Sequence, residues 1–131
     1  MAGELILIVE DNEKNRKLAR DVLQFKGYLT VEAGTAEEGI QLAQESRPAL
    51  ILMDIHLPGM NGIEALRRLR SDPRTEAIPV MAVTASAMTH DRQRILAAGF
   101  DGYQTKPINV KEFLAAVRQV LDGRPGAGGK A

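Results

Sequence analysis

The chain has 131 residues, 44% of them apolar, and its 17 basic and 17 acidic side chains cancel to zero formal charge, which suits one well-formed core and is short for two. No stretch approaches the ~20 apolar residues of a membrane span, and the amino end lacks the basic-then-apolar order of a signal peptide, so a cytoplasmic, soluble protein is expected. Absent cysteine excludes disulfide and thiolate chemistry, two isolated histidines make no zinc cluster, and balanced charge with 4% aromatics provides neither a basic stripe nor a stacking platform for nucleic acid.

In chain order, Leu5-Ile6-Leu7-Ile8-Val9 is a continuous apolar run, as a strand buried on both faces should be, and Glu10-Asp11 follows it. A helix comes next, with Leu18, Val22 and Phe25 on one face, stopping at Gly27. Tyr28 to Val31 is a weaker strand suited to an outer position. Thr35 with Glu38 has the spacing of a capping box and opens a helix whose Ala36, Ile40 and Ala43 share a face. Ala49-Leu50-Ile51-Leu52-Met53 is the next buried strand, followed by Asp54. A shorter helix over Ile63 to Arg70 ends at Ser71-Asp72-Pro73.

Ile78-Pro79-Val80-Met81-Ala82-Val83 is a third apolar run, with its proline near the start, where a missing donor is tolerated, and Thr84 follows. A helix from roughly Met88 to Ala98 stops at Gly99. Gly102 to Thr105 is a second outer strand, followed by Lys106. Asn109 with Glu112 caps a last helix that places Phe113, Val117 and Val120 together and stops at Gly123. One domain over residues 1–122 and a flexible glycine-rich tail over 123–131 are expected.

This five-fold alternation predicts an α/β fold: a doubly wound, five-stranded parallel sheet with helices on both faces. The common strand order for such a sheet is 2-1-3-4-5, with a crevice between the carboxyl ends of strands one and three. Glu10-Asp11 and Asp54 stand at those two ends. Three carboxylates at one sheet edge repel one another, so the cluster must raise a pKa, bind a cation, or both. Lys106 reduces the formal count from minus three to minus two, and one divalent ion brings it to zero. Hard oxygen ligands suit Mg²⁺, whose shell a phosphoryl group would complete.

Four spaced motifs carry a resemblance: Val9-Glu10-Asp11-Asn12; Leu52-Met53-Asp54 with Leu57-Pro58-Gly59-Met60-Asn61-Gly62; Val83-Thr84-Ala85; and Lys106-Pro107. Any one is common, but in this order they resemble the receiver domain of a two-component response regulator, of the stand-alone type, over about Leu5 to Leu121. The resemblance implies a flavodoxin-like fold and assigns Asp54 as the acceptor of a phosphoryl group from a phosphohistidine. It implies that Asp11 binds Mg²⁺ directly and Glu10 through water, with Asp54 and the backbone carbonyl of His56 as further ligands and Mn²⁺ as a substitute ion. Thr84, Ala85 and Lys106 would hold phosphoryl oxygens, and the Lys106-Pro107 bond would be cis.

The resemblance further implies that Thr84 and Tyr103 would form a switch coupling Asp54 to the face built by the fourth helix, fifth strand and fifth helix. Taken singly, Thr84 reads as an ordinary strand-end threonine, Lys106 as a solvated lysine and Tyr103 as a half-buried sheet aromatic. The resemblance also places His56 and Ser86 beside the path by which water would attack the acyl phosphate, where they would tune its lifetime; His56 alone reads equally well as a solvent-facing side chain.

The resemblance further implies partners: a histidine kinase or histidine phosphotransferase as donor and a downstream protein target, with no direct contact to nucleic acid or membrane, in a monomer or weak dimer. Such a domain assists its own phosphorylation and dephosphorylation but turns over no separate substrate, so it is not an enzyme. The alternative is a phosphorelay intermediate or a receiver excised from a hybrid histidine kinase; Met1, the short lead and the glycine-rich ending favour a complete stand-alone protein.

Three other readings fit less well. Asp54-Ile55-His56-Leu57-Pro58-Gly59 matches the D-x-H-x-x-G pattern of cobalamin-binding domains, but after the third strand and without the expected serine and glycine partners. A flavin binder would need small or hydroxyl residues after strand one, where Glu-Asp-Asn-Glu stands. Aspartyl phosphatases of the dehalogenase type carry their nucleophile after the first strand.

Overall fold

In the computed structural model, which describes residues 3–85 and 89–123, the alternation of apolar runs and helical periods becomes ten elements. They are β1 (Leu5–Val9), α1 (Glu13–Phe25), β2 (Leu29–Ala33), α2 (Ala36–Ser46), β3 (Leu50–Asp54), α3 (Gly62–Arg70), β4 (Val80–Thr84), α4 (Thr89–Ala97), β5 (Gly102–Thr105) and α5 (Val110–Asp122). All strand pairs are parallel and the order is β2-β1-β3-β4-β5, the doubly wound, flavodoxin-like sheet expected. The weak runs lie at the two edges. None of the described helices is long and apolar enough to cross a membrane.

Because side chains alternate across a strand, the three central strands feed two cores. Leu7, Val9, Ile51, Met53, Val80 and Ala82 pack on one face with Ala36 and Ala43 of α2, Leu66 and Leu69 of α3 and Ile95 of α4. Ile6, Ile8, Leu50, Leu52, Met81 and Val83 pack on the other with Ala19 and Leu23 of α1 and Phe113, Val117 and Leu121 of α5. Burial on both faces explains why these strands read as unbroken apolar runs.

The face expected of α1 is corrected. Ala19 and Leu23 are its buried residues, Val22 is partly buried against them, Leu18 is 39% exposed and Phe25 is 86% exposed. The helix is turned so that small Ala19 permits close approach to the sheet. The same rotation brings Arg16 and Arg20, one turn apart, to Glu32 on β2. On α5, Leu121 is buried and Val120 only partly so, again one residue from the expected stripe.

Element ends also move. β2 runs two residues past Val31, while Tyr28 is buried just before it. β3 and β4 start later than the apolar runs and take in Asp54 and Thr84, because ladder pairing, not hydrophobicity, sets their limits. β5 is as expected. Met88 and the residues after Gly123 lie outside the described residues.

The starts of α1, α2, α3 and α5 are well capped: Asn12, Thr35, Asn61 and Asn109 each accept from the amide three residues on, at 2.9–3.1 Å. The box at Thr35 is offset, since Glu38 Oε1 returns to the Gly34 amide at 3.1 Å. Gly27 and Gly99 sit at φ +92° and +112° where helices stop, a conformation that L side chains rarely adopt.

Candidate functional site

Parallel register assembles the site from four strand ends. Val9 pairs with Met53, Asp54 with Val83, and Thr84 with Thr105, so Glu10, Asp54, Thr84 and Lys106 form a row at the carboxyl edge of the sheet. Local bonds hold the row in place: the Glu10 amide donates to Ala33 O at 3.0 Å and the Lys106 amide to Thr84 O at 2.8 Å. The Lys106-Pro107 peptide bond is cis, as the resemblance implied.

Glu10, Asp11 and Asp54 each offer a carboxylate oxygen, and these lie within 4.8 Å of one another. Glu10 and Asp54 are only 5% and 4% exposed, whereas Asp11 faces solvent. Lys106 Nζ joins the buried pair, 2.8 Å from Glu10 Oε1 and 3.1 Å from Asp54 Oδ2. Their remaining oxygens accept backbone amides, Glu10 Oε2 from Asn12 at 3.2 Å and Asp54 Oδ1 from His56 at 3.0 Å.

Burial pushes the Glu10 carboxyl above its usual range, with the Asp54 charge adding to it, and together they outweigh the Lys106 contact. For Lys106, burial opposes the charge, yet the two carboxylates prevail and hold the ammonium above its ordinary pKa. The donor set is wholly hard oxygen, concentrated and acidic, which fits a small divalent cation.

The other expected residues fall as follows. Thr84 is completely buried at the end of β4, and Ala85 next to it is exposed. Ser86 lies outside the described residues. The His56 side chain is exposed beside an open groove lined also by Asp11, Asn61 and Arg94. Tyr103 pairs in register with Ala82 and packs partly against the core face that holds Ala82; by strand alternation Thr84 belongs to that same face. The Arg92 guanidinium carbon stands 5.6 Å from the Tyr103 ring centre.

Three contributors had no role assigned from the sequence, although Asn12 and Gly62 stand in its motifs. Asn12 caps α1 and donates its amide to Glu10, and its place three residues before the Asn15 amide was a readable cap signal. Gly62 lies so close to β3 that a Cβ there would come 2.6 Å from Asp54 O. Arg16 donates from Nη1 to Glu10 O at 2.8 Å, a contact with no local signature because its other partner, Glu32, belongs to the next strand.

The chain matches the response regulator receiver domain family over residues 6–118. It is 45% identical over 116 residues to the polar-differentiation response regulator DivK of Brucella anthropi, covering 88% of this chain and 94% of that protein. Among solved structures it is similar to a CheY-like receiver domain protein from Methanospirillum hungatei, with TM-score 0.84, 30% identity and coverage of 95% and 98% of the two chains. It is also similar to the receiver domain of the sensor histidine kinase PA1611 from Pseudomonas aeruginosa, with magnesium in its active site cleft. There the TM-score is 0.80 and the identity 31%, over 95% of this chain and 98% of that one.

Proposed function

The chain belongs to the response regulator receiver domain family, and from that premise we propose that it is a Mg²⁺-dependent signalling switch whose Asp54 accepts a phosphoryl group from a phosphohistidine. The observation that carries this reading is the meeting of Glu10, Asp11 and Asp54 oxygens within 4.8 Å, with Lys106 bridging two of them. Asp11 and Asp54 would hold the ion directly and Glu10 through water, with the His56 carbonyl as a further ligand and Mn²⁺ able to substitute. When bound, the ion supplies neutralisation of charge on the transferring phosphoryl oxygens.

An Asp54 carboxylate oxygen forms the new bond to phosphorus as the bond from phosphorus to the donor imidazole nitrogen breaks, and the freed imidazole keeps that electron pair. The chain's part is positioning and charge. Lys106 brings a compact charge with several donors to one phosphoryl oxygen, Thr84 offers its hydroxyl to another, and the Ala85 amide lies next to it. His56 and Ser86 tune the lifetime of the acyl phosphate; unaltered dephosphorylation in both His56→Ala and Ser86→Ala would dismiss that role. No separate substrate is turned over, so the protein acts as a regulated binding module and not as an enzyme.

Thr84 and Tyr103 share a sheet face, which supports their acting as the switch toward α4, β5 and α5. The donor is a histidine kinase or histidine phosphotransferase, the output a downstream protein target reached in the cytoplasm, and the chain a monomer or weak dimer. The likeness to the receiver of a sensor kinase favours a second reading, a phosphorelay intermediate; phosphoryl flow onward to a histidine phosphotransferase would distinguish it.

Incubation with a small acyl-phosphate donor and Mg²⁺, read by intact mass, tests the central assignment. Wild type should gain one phosphoryl adduct and Asp54→Asn none; an adduct on the variant sinks it. Adding a beryllofluoride phosphoryl mimic should move the Tyr103 ring resonances, and an unmoved ring would remove Tyr103 from the switch.

A further inference from the structure

We infer that Arg16 is a positioning residue for the acidic cluster, acting through the peptide that joins Glu10 to Asp11; the inference rests on the reading of that cluster as the Mg²⁺ site. Arg16 lies in the first turn of α1. Its Nη1 donates to Glu10 O at 2.8 Å and its Nε to Glu32 Oε1 at 3.2 Å. The second Glu32 oxygen accepts from Arg20 Nη1 at 2.9 Å, so Glu32 is itself held from two sides. Arg16 and Glu32 are about three-quarters buried, with side chains 23% and 24% exposed.

The contact matters because of what it orients. The Glu10 carbonyl and the Asp11 amide belong to one planar unit, so fixing where that carbonyl points fixes how the backbone enters Asp11. The two acidic residues differ in what else holds them. Glu10 has its amide bound to Ala33 O and its carboxylate bound by Lys106 and the Asn12 amide. Asp11 is exposed, and among the described residues no hydrogen bond or ion pair engages its carboxylate. Its aim therefore depends on its backbone, which Arg16 anchors from α1 and β2 together.

Positioning and plain electrostatics predict opposite signs. A guanidinium bound to the Glu10 carbonyl repels a cation held by the neighbouring carboxylates, so its removal by charge alone should tighten divalent binding. Loss of an orienting partner should weaken it, by about tenfold or more.

The test uses the whole chain and Mn²⁺ as the probe, followed by loss of the free-ion paramagnetic signal, with Mg²⁺ measured by competition. Arg16→Met should bind about tenfold more weakly than wild type. Arg20→Met removes a cation from the same Glu32 but leaves the Glu10 carbonyl contact, and should stay within about twofold. Arg16→Met binding as tightly as wild type, or more tightly, overturns the inference. Should that variant not fold, Arg16→Lys decides instead, since one ammonium cannot reproduce the forked contact to both acceptors: weakening beyond about threefold supports positioning, and unchanged binding overturns it. A wild type that binds no ion, or an Asp11→Asn variant that binds as wild type does, overturns the metal-site reading itself, an outcome separate from a change confined to Arg16.

Discussion

Lys106 and Asp54 stand 52 positions apart in sequence, yet the ammonium lies 3.1 Å from Asp54 Oδ2 and, on its other side, 2.8 Å from Glu10 Oε1. Removing it strands two buried carboxylates. Lys106→Met should cost about 3 kcal/mol at pH 7 without divalent ions, and Mg²⁺ should restore part of the loss. Because the Lys106 pKa is raised in the folded state, its contribution is fully present below the ordinary lysine value and is lost as pH rises through the raised one. Glu10 is raised as well, so protonation favours the fold and the variant's deficit should shrink from pH 7 toward pH 5. Urea melts at the two pH values decide this; a deficit that grows on acidification refutes it.

Gly62 is required by close approach of backbone. A Cβ there would meet Asp54 O at 2.6 Å and Ile55 Cα at 2.9 Å, neither able to rotate aside. Gly62→Ala should cost about 2–3 kcal/mol and slow phosphoryl acceptance by displacing the end of β3. At Gly39 the nearest atom is Val9 Cγ2, at 2.7 Å, which belongs to a side chain. Gly39→Ala should cost less, and denaturation showing the reverse order would contradict this account.

The rotation of α1 is open to a direct test. Leu23→Ala empties a fully buried position and should cost about 3 kcal/mol. Phe25→Ser alters a side chain that is 86% exposed, and its stability should stay within about 0.5 kcal/mol of wild type. Equal losses would restore the stripe expected from sequence.

Asp72 carries a pH dependence remote from the site. The Arg74 side chain and backbone amide, with help from Gln44, hold its carboxyl at about 2 in place of the ordinary 3.8. Its stabilisation is therefore complete above the ordinary value and fades as pH falls through about 2. The stability of Asp72→Asn should lie below wild type at pH 5 and converge with it in strong acid. A parallel offset throughout acid unfolding would show that this carboxylate does not titrate as described.

How far the sequence reached can be judged from α1 and the site together. Leu18, Val22 and Phe25 form a stripe as regular as Ala19, Val22 and Leu23, and a one-residue step turns a helix by 100°. Size favours the first stripe; close packing against the sheet, with Arg16 and Arg20 reaching Glu32, selects the second. Asp11, Asp54 and Thr84 were legible because each ends or follows a strand whose apolar run is plain, and Lys106 because it stands with Pro107 after the last, weaker strand of the alternation. Arg16 and Gly62 were not, since their roles consist of contacts with backbone that sequence spacing does not express.

By itself the sequence determined the alternation of elements, the strand order and the gathering of three carboxylates and an ammonium at one sheet edge, because periodicity and parallel winding leave few other arrangements. Only the tertiary structure decided which helix stripe is buried, which oxygens the ammonium touches and what orients the Glu10-Asp11 peptide. Those depend on rotations of one residue and separations of a few ångströms, which packing sets and composition does not.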